Sequence, residues 1–195
     1  LYCAGVNERD MDLATSVFDA ARIGGDIFRW EEFITQCVDR LCKYYMLHTV
    51  VVNNDPDNVV IREKFNTCDQ AVTRAALVSL LGLPFTLGDN LPDLPEERVE
   101  ILRRSIPPVP AHPMDVRTTV SDHKTVVVNL AVERPDMRYN IVDVINLREE
   151  SARVRIDLRA ASQSRDTLKR ELAGEEPVFV PEEGSVEAVR NDAVP

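Results

Sequence analysis

The chain has 195 residues, which is enough for one full domain or parts of two. Its net charge of −10 at pH 7 disfavours nucleic acid as a partner, because an acidic surface repels phosphate backbones. No apolar run approaches the roughly 20 residues that cross a bilayer, so no membrane partner is expected. The chain begins at Leu1 and reads like the middle of a longer polypeptide, so no localisation is predicted.

The first elements alternate between strands and helices. Residues 1–5 and 17–23 are short apolar segments that predict strands, and the second ends at Gly24-Gly25-Asp26. Apolar residues at spacings of one, three and four predict a helix from Glu31 to Leu47. The β-branched run Thr49–Val52 predicts a strand buried on both faces, ending in a polar loop, Asn53–Asn58.

The alternation continues to about residue 106. A second helix is predicted from Cys68 to Leu81, with Gly82 at its end. Its packed side is expected to contain Ala71, Val72, Ala75, Ala76 and Val78. A short apolar segment, Pro84–Leu87, and a helix, Pro92–Ile106, follow. Strands and helices alternating at this spacing indicate a parallel sheet, whose carboxyl-end loops form the active-site face in a βα barrel.

The pattern changes after residue 106. Four prolines within residues 107–113 predict a stiff connector. Residues 125–130, 139–145 and 152–158 are β-rich, and the last of these alternates as in an antiparallel sheet. The acidic tail from about Gly174 is expected to be loosely ordered. The predicted division is therefore an α/β unit, residues 1–110, followed by an all-β domain, residues 111–195.

Three acidic loops follow the predicted strands and are candidates for chemistry. They are Arg22-Ile23-Gly24-Gly25-Asp26, Asn54-Asp55-Pro56-Asp57-Asn58 and Gly88-Asp89-Asn90. Each has a structural alternative: Asp26 could cap the helix that begins near Arg29, and Asp55 and Asp89 could set turns. Three such loops in succession on one sheet favour a binding face.

These segments resemble, in order, parts of the retaining α-galactosidases (melibiases) of glycoside hydrolase families 27 and 36. Ala21–Ile27 is similar to the segment with the acid/base aspartate, which an arginine precedes by four positions. Asn54–Asn58 resembles the Asn-Asp-Pro-Asp segment of the next strand. Gly82–Asp89 and Leu94–Pro107 resemble the last barrel strand and the closing helix. The resemblance implies the C-terminal half of a (β/α)8 TIM barrel, followed by an antiparallel β-sandwich-type domain.

The resemblance also implies roles for individual residues. Asp26 would be the general acid/base, protonating the glycosidic oxygen and then activating water. Arg22 would bind the sugar and hold the loop, and Asp57 and Asn58 would line the pocket for the terminal sugar. Cys3 would lie near the sugar's 2-position. The expected partner is a carbohydrate, a terminal α-galactoside or a related sugar.

One part of the family pattern is missing from the sequence. A retaining glycosidase needs two carboxyl groups about 5–5.5 Å apart. In the family the nucleophile is an aspartate in a Lys-x-Asp setting on the fourth strand, and no Lys-x-Asp occurs here. The remainder of the barrel is expected upstream, and we predict that these 195 residues alone do not hydrolyse glycosides.

Two other functions remain open from the sequence. One is a non-catalytic carbohydrate-binding relative that kept the barrel loops, and the other is a raffinose-synthase-like glycosyl transferase. No cofactor is expected, since two carboxylates suffice for the chemistry. No metal site is predicted, because the spacing of Cys3, Cys37, Cys42 and Cys68 matches no zinc pattern. These cysteines are interpreted as buried thiols.

Overall fold

A computed structural model describes residues 1–3, 16–109, 111–118, 124–133, 135–156 and 186–188. Its first sheet contains three parallel strands in the order β1 (Tyr2–Cys3), β2 (Ala20–Arg22) and β3 (Asn53–Asp55). A parallel bridge between Val59 and Leu87 lies farther along the chain. The expected parallel arrangement is therefore present, but the described residues do not form a closed barrel.

Helix α1 covers Trp30–Leu47, as the apolar spacing predicted, but it is not uniform. It is α-helical over Trp30–Glu32 and Asp39–Tyr44, π-helical over Phe33–Val38 and 3-10 over Tyr45–Leu47. Its buried residues are Phe33, Cys37, Val38 and Leu41. Gly24 is needed for the close approach of this helix, because a Cβ there would lie 2.0 Å from the carbonyl oxygen of Gln36.

The predicted strand Thr49–Val52 is wrong. Thr49 has a φ of 62°, and the backbone N–H groups of Val50, Val51 and Val52 all donate to the carbonyl of Leu47. The segment is thus the turn that satisfies the carboxyl end of α1, whose last carbonyls have no partner within the helix. Val50 is 77% exposed. The strand lies immediately after this turn, within the segment expected to be a polar loop.

Helix α2, Cys68–Leu80, confirms its prediction to within one residue. Thr67 Oγ1 accepts from the N–H of Gln70, and the Gln70 side chain accepts from the N–H of Thr67, which forms a capping box. Gly82, with a φ of 65°, follows the helix end as expected. The buried face differs from the prediction, since Val72 is exposed and Arg74 is buried.

The predicted helix Pro92–Ile106 is present in two pieces. A 3-10 turn covers Leu91–Asp93, and helix α3 covers Glu96–Ser105. The break lies at Pro95, which cannot continue a preceding helical turn because its backbone nitrogen has no N–H to donate. Helix α3 packs against α2.

The β-rich part forms an antiparallel sheet, in the order β4 (Ala111–Thr118), β5 (Thr125–Glu133) and β6 (Arg138–Asn146). A two-stranded antiparallel sheet pairs β7 (Val154–Ile156) with β8 (Val186–Ala188). The strands predicted at 125–130 and 139–145 are confirmed. The acidic tail predicted from about Gly174 lies outside the described residues except for β8, which is a strand.

The proline connector is shorter than predicted, because β4 already begins at Ala111. Pro113 lies within this edge strand, where the ladder register shifts between Pro113 and Asp115. An edge strand tolerates proline because one side of its backbone has no partner to receive an N–H.

One hydrophobic core joins the two parts of the chain. Strand β4 contacts the end of α1 at Tyr45–Leu47. The shared core includes Ile23, Phe33, Leu41, Leu77 and Leu83 from the α/β part, and Val126, Val128, Leu130 and Ile145 from β5 and β6. The antiparallel sheet therefore packs against the same apolar interior as the helices.

Candidate functional site

The three predicted loops meet at the carboxyl ends of the parallel strands. Arg22 of β2 lies in register with Asp55 of β3, and the N–H of Ile23 donates to the carbonyl of Asp55 over 3.0 Å. Gly88, which follows the bridge at Leu87, lies against Asn58: a Cβ on Gly88 would be 3.1 Å from that side chain. The loops after β2, β3 and Leu87 therefore form one surface.

Arg22 joins two carboxylates at this surface. Its Nη1 donates to Asp26 Oδ1 over 2.8 Å, and its Nη2 forms an ion pair with Asp57 Oδ1. The Nε of Arg22 is buried and has no hydrogen-bond partner. Arg22 thus connects the candidate acid of one loop to the aspartate of the next.

Asp26 is exposed, and it does not cap helix α1. Its side chain is 71% exposed. The N–H groups of Phe28 and Arg29 donate instead to Glu32 Oε2, each over 2.8 Å. These hydrogen bonds, the one from Arg29 first, lower the pKa of Glu32. The structural alternative for Asp26, a helix cap, is therefore wrong.

Asp57 is only 4% exposed, and both of its carboxylate oxygens have partners. While Oδ1 faces Arg22, Oδ2 accepts from the N–H of Ile27 over 2.9 Å and from Asn58 Nδ2 over 3.4 Å. Its φ of 75° is in the left-handed region, which aspartate adopts more readily than most residues. Asp57 therefore ties the loop after β3 to the loop that contains Asp26.

Asp55 forms the turn that was its structural alternative. Its Oδ1 accepts from the N–H of Asp57 over 2.9 Å, two residues along the chain. Its Oδ2 accepts from the hydroxyl of Tyr2 in β1, a contact that the sequence did not suggest. Asp55 is buried, and both of its carboxylate oxygens are used in hydrogen bonds within the fold.

The side chain of Asp89 is buried, and it holds a distant segment rather than its own turn. Its Oδ2 accepts from the N–H of Ile61 over 2.6 Å, and its Oδ1 accepts from Arg62 Nη1 over 2.7 Å. Among Asp26, Asp55, Asp57 and Asp89, only Asp26 presents an exposed carboxylate.

The remaining predicted site residues are close to this surface. Asn58 is half-buried beside Asp57. Cys3 pairs with Ala21 in the β1–β2 ladder, so its backbone is one strand away from the loop of Asp26, and its side chain lies outside the described part. Of the other cysteines, Cys37 is buried, which raises the pKa of its thiol, whereas Cys68 is exposed.

Sequence reasoning missed three residues at this face: Phe28, Arg62 and Arg74. Arg74 of α2 is buried, and its Nη2 donates to the carbonyls of Phe28 over 3.0 Å and Arg29 over 2.6 Å. Burial lowers the pKa of Arg74 to about 10, so the side chain stays charged at neutral pH. An arginine among the apolar positions of α2 was the available signal.

In the described ranges, no three residues among His, Cys, Asp and Glu are grouped so as to hold a metal ion. None of the helices in the same ranges combines the length and apolar character that a membrane span requires.

Comparison of the sequence with protein-family models gives no match, and a search of curated proteins gives none either. Solved structures do match. The fold is similar to part of the fold of family 27 glycosidases, in agreement with the sequence resemblance.

The similar structures include three structures of two glycosidases. A GH27 β-L-arabinopyranosidase from Geobacillus stearothermophilus superposes with a TM-score of 0.62 at 15% identity, covering 83% of this chain and 40% of that one. A variant of that enzyme in complex with arabinose gives 0.63 at 16% identity, covering 83% and 41%. An α-galactosidase from Saccharomyces cerevisiae gives 0.56 at 13% identity, covering 78% and 42%.

At these identities the similarity shows a shared fold. The chain spans about two fifths of the length of the structures it matches. What those enzymes act on is a property of those enzymes, and its transfer to this chain is a proposal.

Proposed function

We propose that this chain supplies the acid/base part of the active site of a retaining, exo-acting α-glycosidase, with Asp26 as the acid/base. The observation that carries the proposal is that the carboxylates at the strand ends differ in exposure and hydrogen bonding. Asp26 is exposed beside Arg22, whereas the side chains of Asp55, Asp57 and Asp89 are buried and hydrogen-bonded. Asp26 would protonate the glycosidic oxygen and afterwards take a proton from water.

The other site residues would act around Asp26. Arg22 would hold the Asp26 loop and donate to a sugar hydroxyl. Asp57 would fix Arg22 in place, and with Asn58 it would line the pocket for the terminal sugar. Cys3, on the neighbouring strand, would lie near the sugar's 2-position. The contacts of Arg22 with Asp26 and Asp57 support the first two of these roles.

The nucleophile would come from a segment of a longer polypeptide that precedes these residues. The parallel sheet would then be the C-terminal half of a (β/α)8 barrel, residues 1–110, with an antiparallel β domain at residues 111–195. The coverage of about two fifths of the similar glycosidases supports this proposal. The substrate would be a terminal α-galactoside or a related sugar.

The acid/base role is tested in the longer polypeptide by Asp26→Ala. We expect kcat on raffinose to fall by about 10²–10⁴-fold, because the leaving sugar then departs without a proton. An aryl galactoside with an acidic phenol needs no such proton, so it should still form the glycosyl-enzyme. Added azide should release that intermediate as α-galactosyl azide, since azide attacks the anomeric carbon without a general base and displaces the enzyme carboxylate.

Asp19→Ala is the matched control, since Asp19 is exposed and directly precedes β2, at the opposite end of the strand from Asp26. It should leave kcat unchanged. Full activity of Asp26→Ala on raffinose would contradict the proposal. The 195-residue chain by itself should not cleave p-nitrophenyl α-galactoside, and cleavage that depends on Asp26 would refute the need for an outside nucleophile.

A non-catalytic carbohydrate-binding protein is the second candidate. It is favoured by the commitment of Asp55, Asp57 and Asp89 to internal hydrogen bonds, which leaves none of them available as a nucleophile. A longer polypeptide that binds galactosides but neither hydrolyses nor transfers them would support this function over the glycosidase.

A further inference from the structure

Phe28 presents an exposed aromatic ring on a fixed backbone. Its ring is partly open to solvent, with the residue 39% exposed. Its N–H donates to Glu32 Oε2 over 2.8 Å, and its carbonyl accepts from the buried Arg74 over 3.0 Å. Because both backbone groups are held by side chains of α1 and α2, the ring cannot withdraw from solvent by a simple movement of the loop.

A guanidinium group and a second ring adjoin Phe28. The Arg62 Cζ lies 5.9 Å from the centroid of the Phe28 ring and 4.8 Å from that of Phe65. The two ring centroids are 5.9 Å apart, with the planes tilted by 49°. Arg62 is held by Asp89 Oδ1 at 2.7 Å and by the carbonyl of Gly88 at 2.9 Å. Phe28, Arg62 and Phe65 therefore form a preorganised aromatic platform, with the guanidinium of Arg62 over the two rings.

The platform shares a loop with the candidate acid. Phe28 is two residues after Asp26, and Ile27 between them is buried. Asp26 and Phe28 are both exposed on either side of this buried residue, so they share the solvent-facing side of the loop. Arg22 donates to Asp26, and Asp57 accepts from the N–H of Ile27, so both flanks of the Asp26–Phe28 segment are held by side chains of the strand-end loops.

We propose that the aromatic platform binds the leaving-group sugar of the substrate. The proposal rests on the proposed function, because a general acid must reach the glycosidic oxygen and the leaving sugar is bonded to that atom. A pyranose ring has an apolar face of C–H groups and an edge of hydroxyls. The exposed ring of Phe28 matches the face, and the guanidinium of Arg62 matches the hydroxyl edge, which is the usual combination in a small-molecule site.

The proposal predicts selective effects of Phe28 on ligands with a leaving sugar. In the longer polypeptide with Asp26→Asn, which removes the acid, we compare the Kd of raffinose with that of methyl α-galactoside by calorimetry. Phe28→Leu should raise the Kd of raffinose about 2- to 10-fold, the range expected for loss of one aromatic contact. It should change the Kd of methyl α-galactoside less than about twofold. Phe28→Tyr keeps the aromatic face and should restore raffinose binding.

Tyr139→Leu is the matched control, because Tyr139 is a similarly exposed aromatic residue, 42%, on β6. It should change neither Kd. Equal weakening of both ligands by Phe28→Leu, or no weakening of either, would overturn the platform. If neither ligand binds the parent protein with Phe28 intact, the proposed galactoside function fails instead, so the two failures are distinguishable.

Discussion

Arg22 and Asp57 form an ion pair between the ends of two neighbouring parallel strands, with Asp57 almost completely buried. The other arm of the same guanidinium contacts the exposed Asp26. One buried carboxylate thus orients the arginine, and the arginine orients the exposed carboxylate. In the sequence, Asp26 and Asp57 look alike, because each lies in a loop after a strand. In the structure they differ, because Asp57 positions Arg22 and Arg22 positions Asp26.

The two aspartates bound to Arg22 should differ strongly in their contribution to stability. Asp57→Asn leaves the partly buried Arg22 without its buried counter-charge, and we expect a loss of about 2–4 kcal/mol in the free energy of unfolding. Asp26→Asn removes only a solvent-exposed pair, and we expect a change within about 0.5 kcal/mol. Urea unfolding of both variants measures the difference, and equal losses would contradict the buried position of Asp57.

Gly24 and Gly25 should respond differently to the same added methyl group. A Cβ at Gly24 would meet the backbone oxygen of Gln36, so Gly24→Ala must displace helix α1 from β2, at a cost of about 1–3 kcal/mol or more. At Gly25 the nearest atom is Gln36 Oε1 at 3.5 Å, an ordinary contact. Gly25→Ala should therefore fall within about 0.5 kcal/mol of the parent. Thermal unfolding of the pair is the measurement, and a similar Tm for both would contradict it.

Arg74 should stabilise the loop that contains Asp26 and Phe28. Arg74→Met leaves the carbonyls of Phe28 and Arg29 without their donor, so we expect a loss of about 1–3 kcal/mol. Hydrogen exchange of the amides at residues 26–32 should accelerate more than exchange within α2. Arg104→Met, at an exposed arginine of α3, is the control and should leave both quantities nearly unchanged. Unchanged exchange in the loop of Arg74→Met would count against this role.

His48 should make the protein less stable at mildly acidic pH. It is buried, and its Nδ1 accepts from the N–H of Asn54 over 3.0 Å, which requires a neutral ring. Burial lowers the pKa of His48. As pH falls below about 6.5, the usual histidine pKa, the unfolded chain takes up a proton before the folded chain does. Stability should therefore decrease from about pH 6.5 down to the lowered pKa.

The measurement for His48 is Tm between pH 8 and pH 5 for the parent and for His48→Asn. Asparagine keeps an acceptor for Asn54 but does not titrate, so the variant should lose this part of the pH dependence. If the variant has the same pH profile as the parent, other groups cause the acid sensitivity. Glu32 is one such group: its pKa is lowered in the folded protein, so protonation of its carboxylate at lower pH also decreases stability.

Local patterns predicted those elements whose determinants lie within a few residues. Helix α2 was found because Thr67 and Gln70 form a capping box three residues apart and Gly82 ends the helix. Strand β5 was found because its run is rich in β-branched residues, of which Val126 and Val128 share a buried face with Leu130. The run Thr49–Val52 was misassigned because its β-branched residues suit a strand, whereas the end of α1 required a turn at that place.

The sequence by itself determined the order of strands and helices, the resemblance to family 27 and 36 glycosidases, and Arg22 and Asp26 as neighbours four positions apart. The tertiary structure decided which acidic residue is exposed. Asp89 meets Ile61 across 28 positions, and Arg74 meets Phe28 across 46. Such contacts depend on how helices pack onto the sheet, and no local period encodes them. Burial of a carboxylate is a property of the whole packed chain, so only the fold separates Asp26 from Asp55, Asp57 and Asp89.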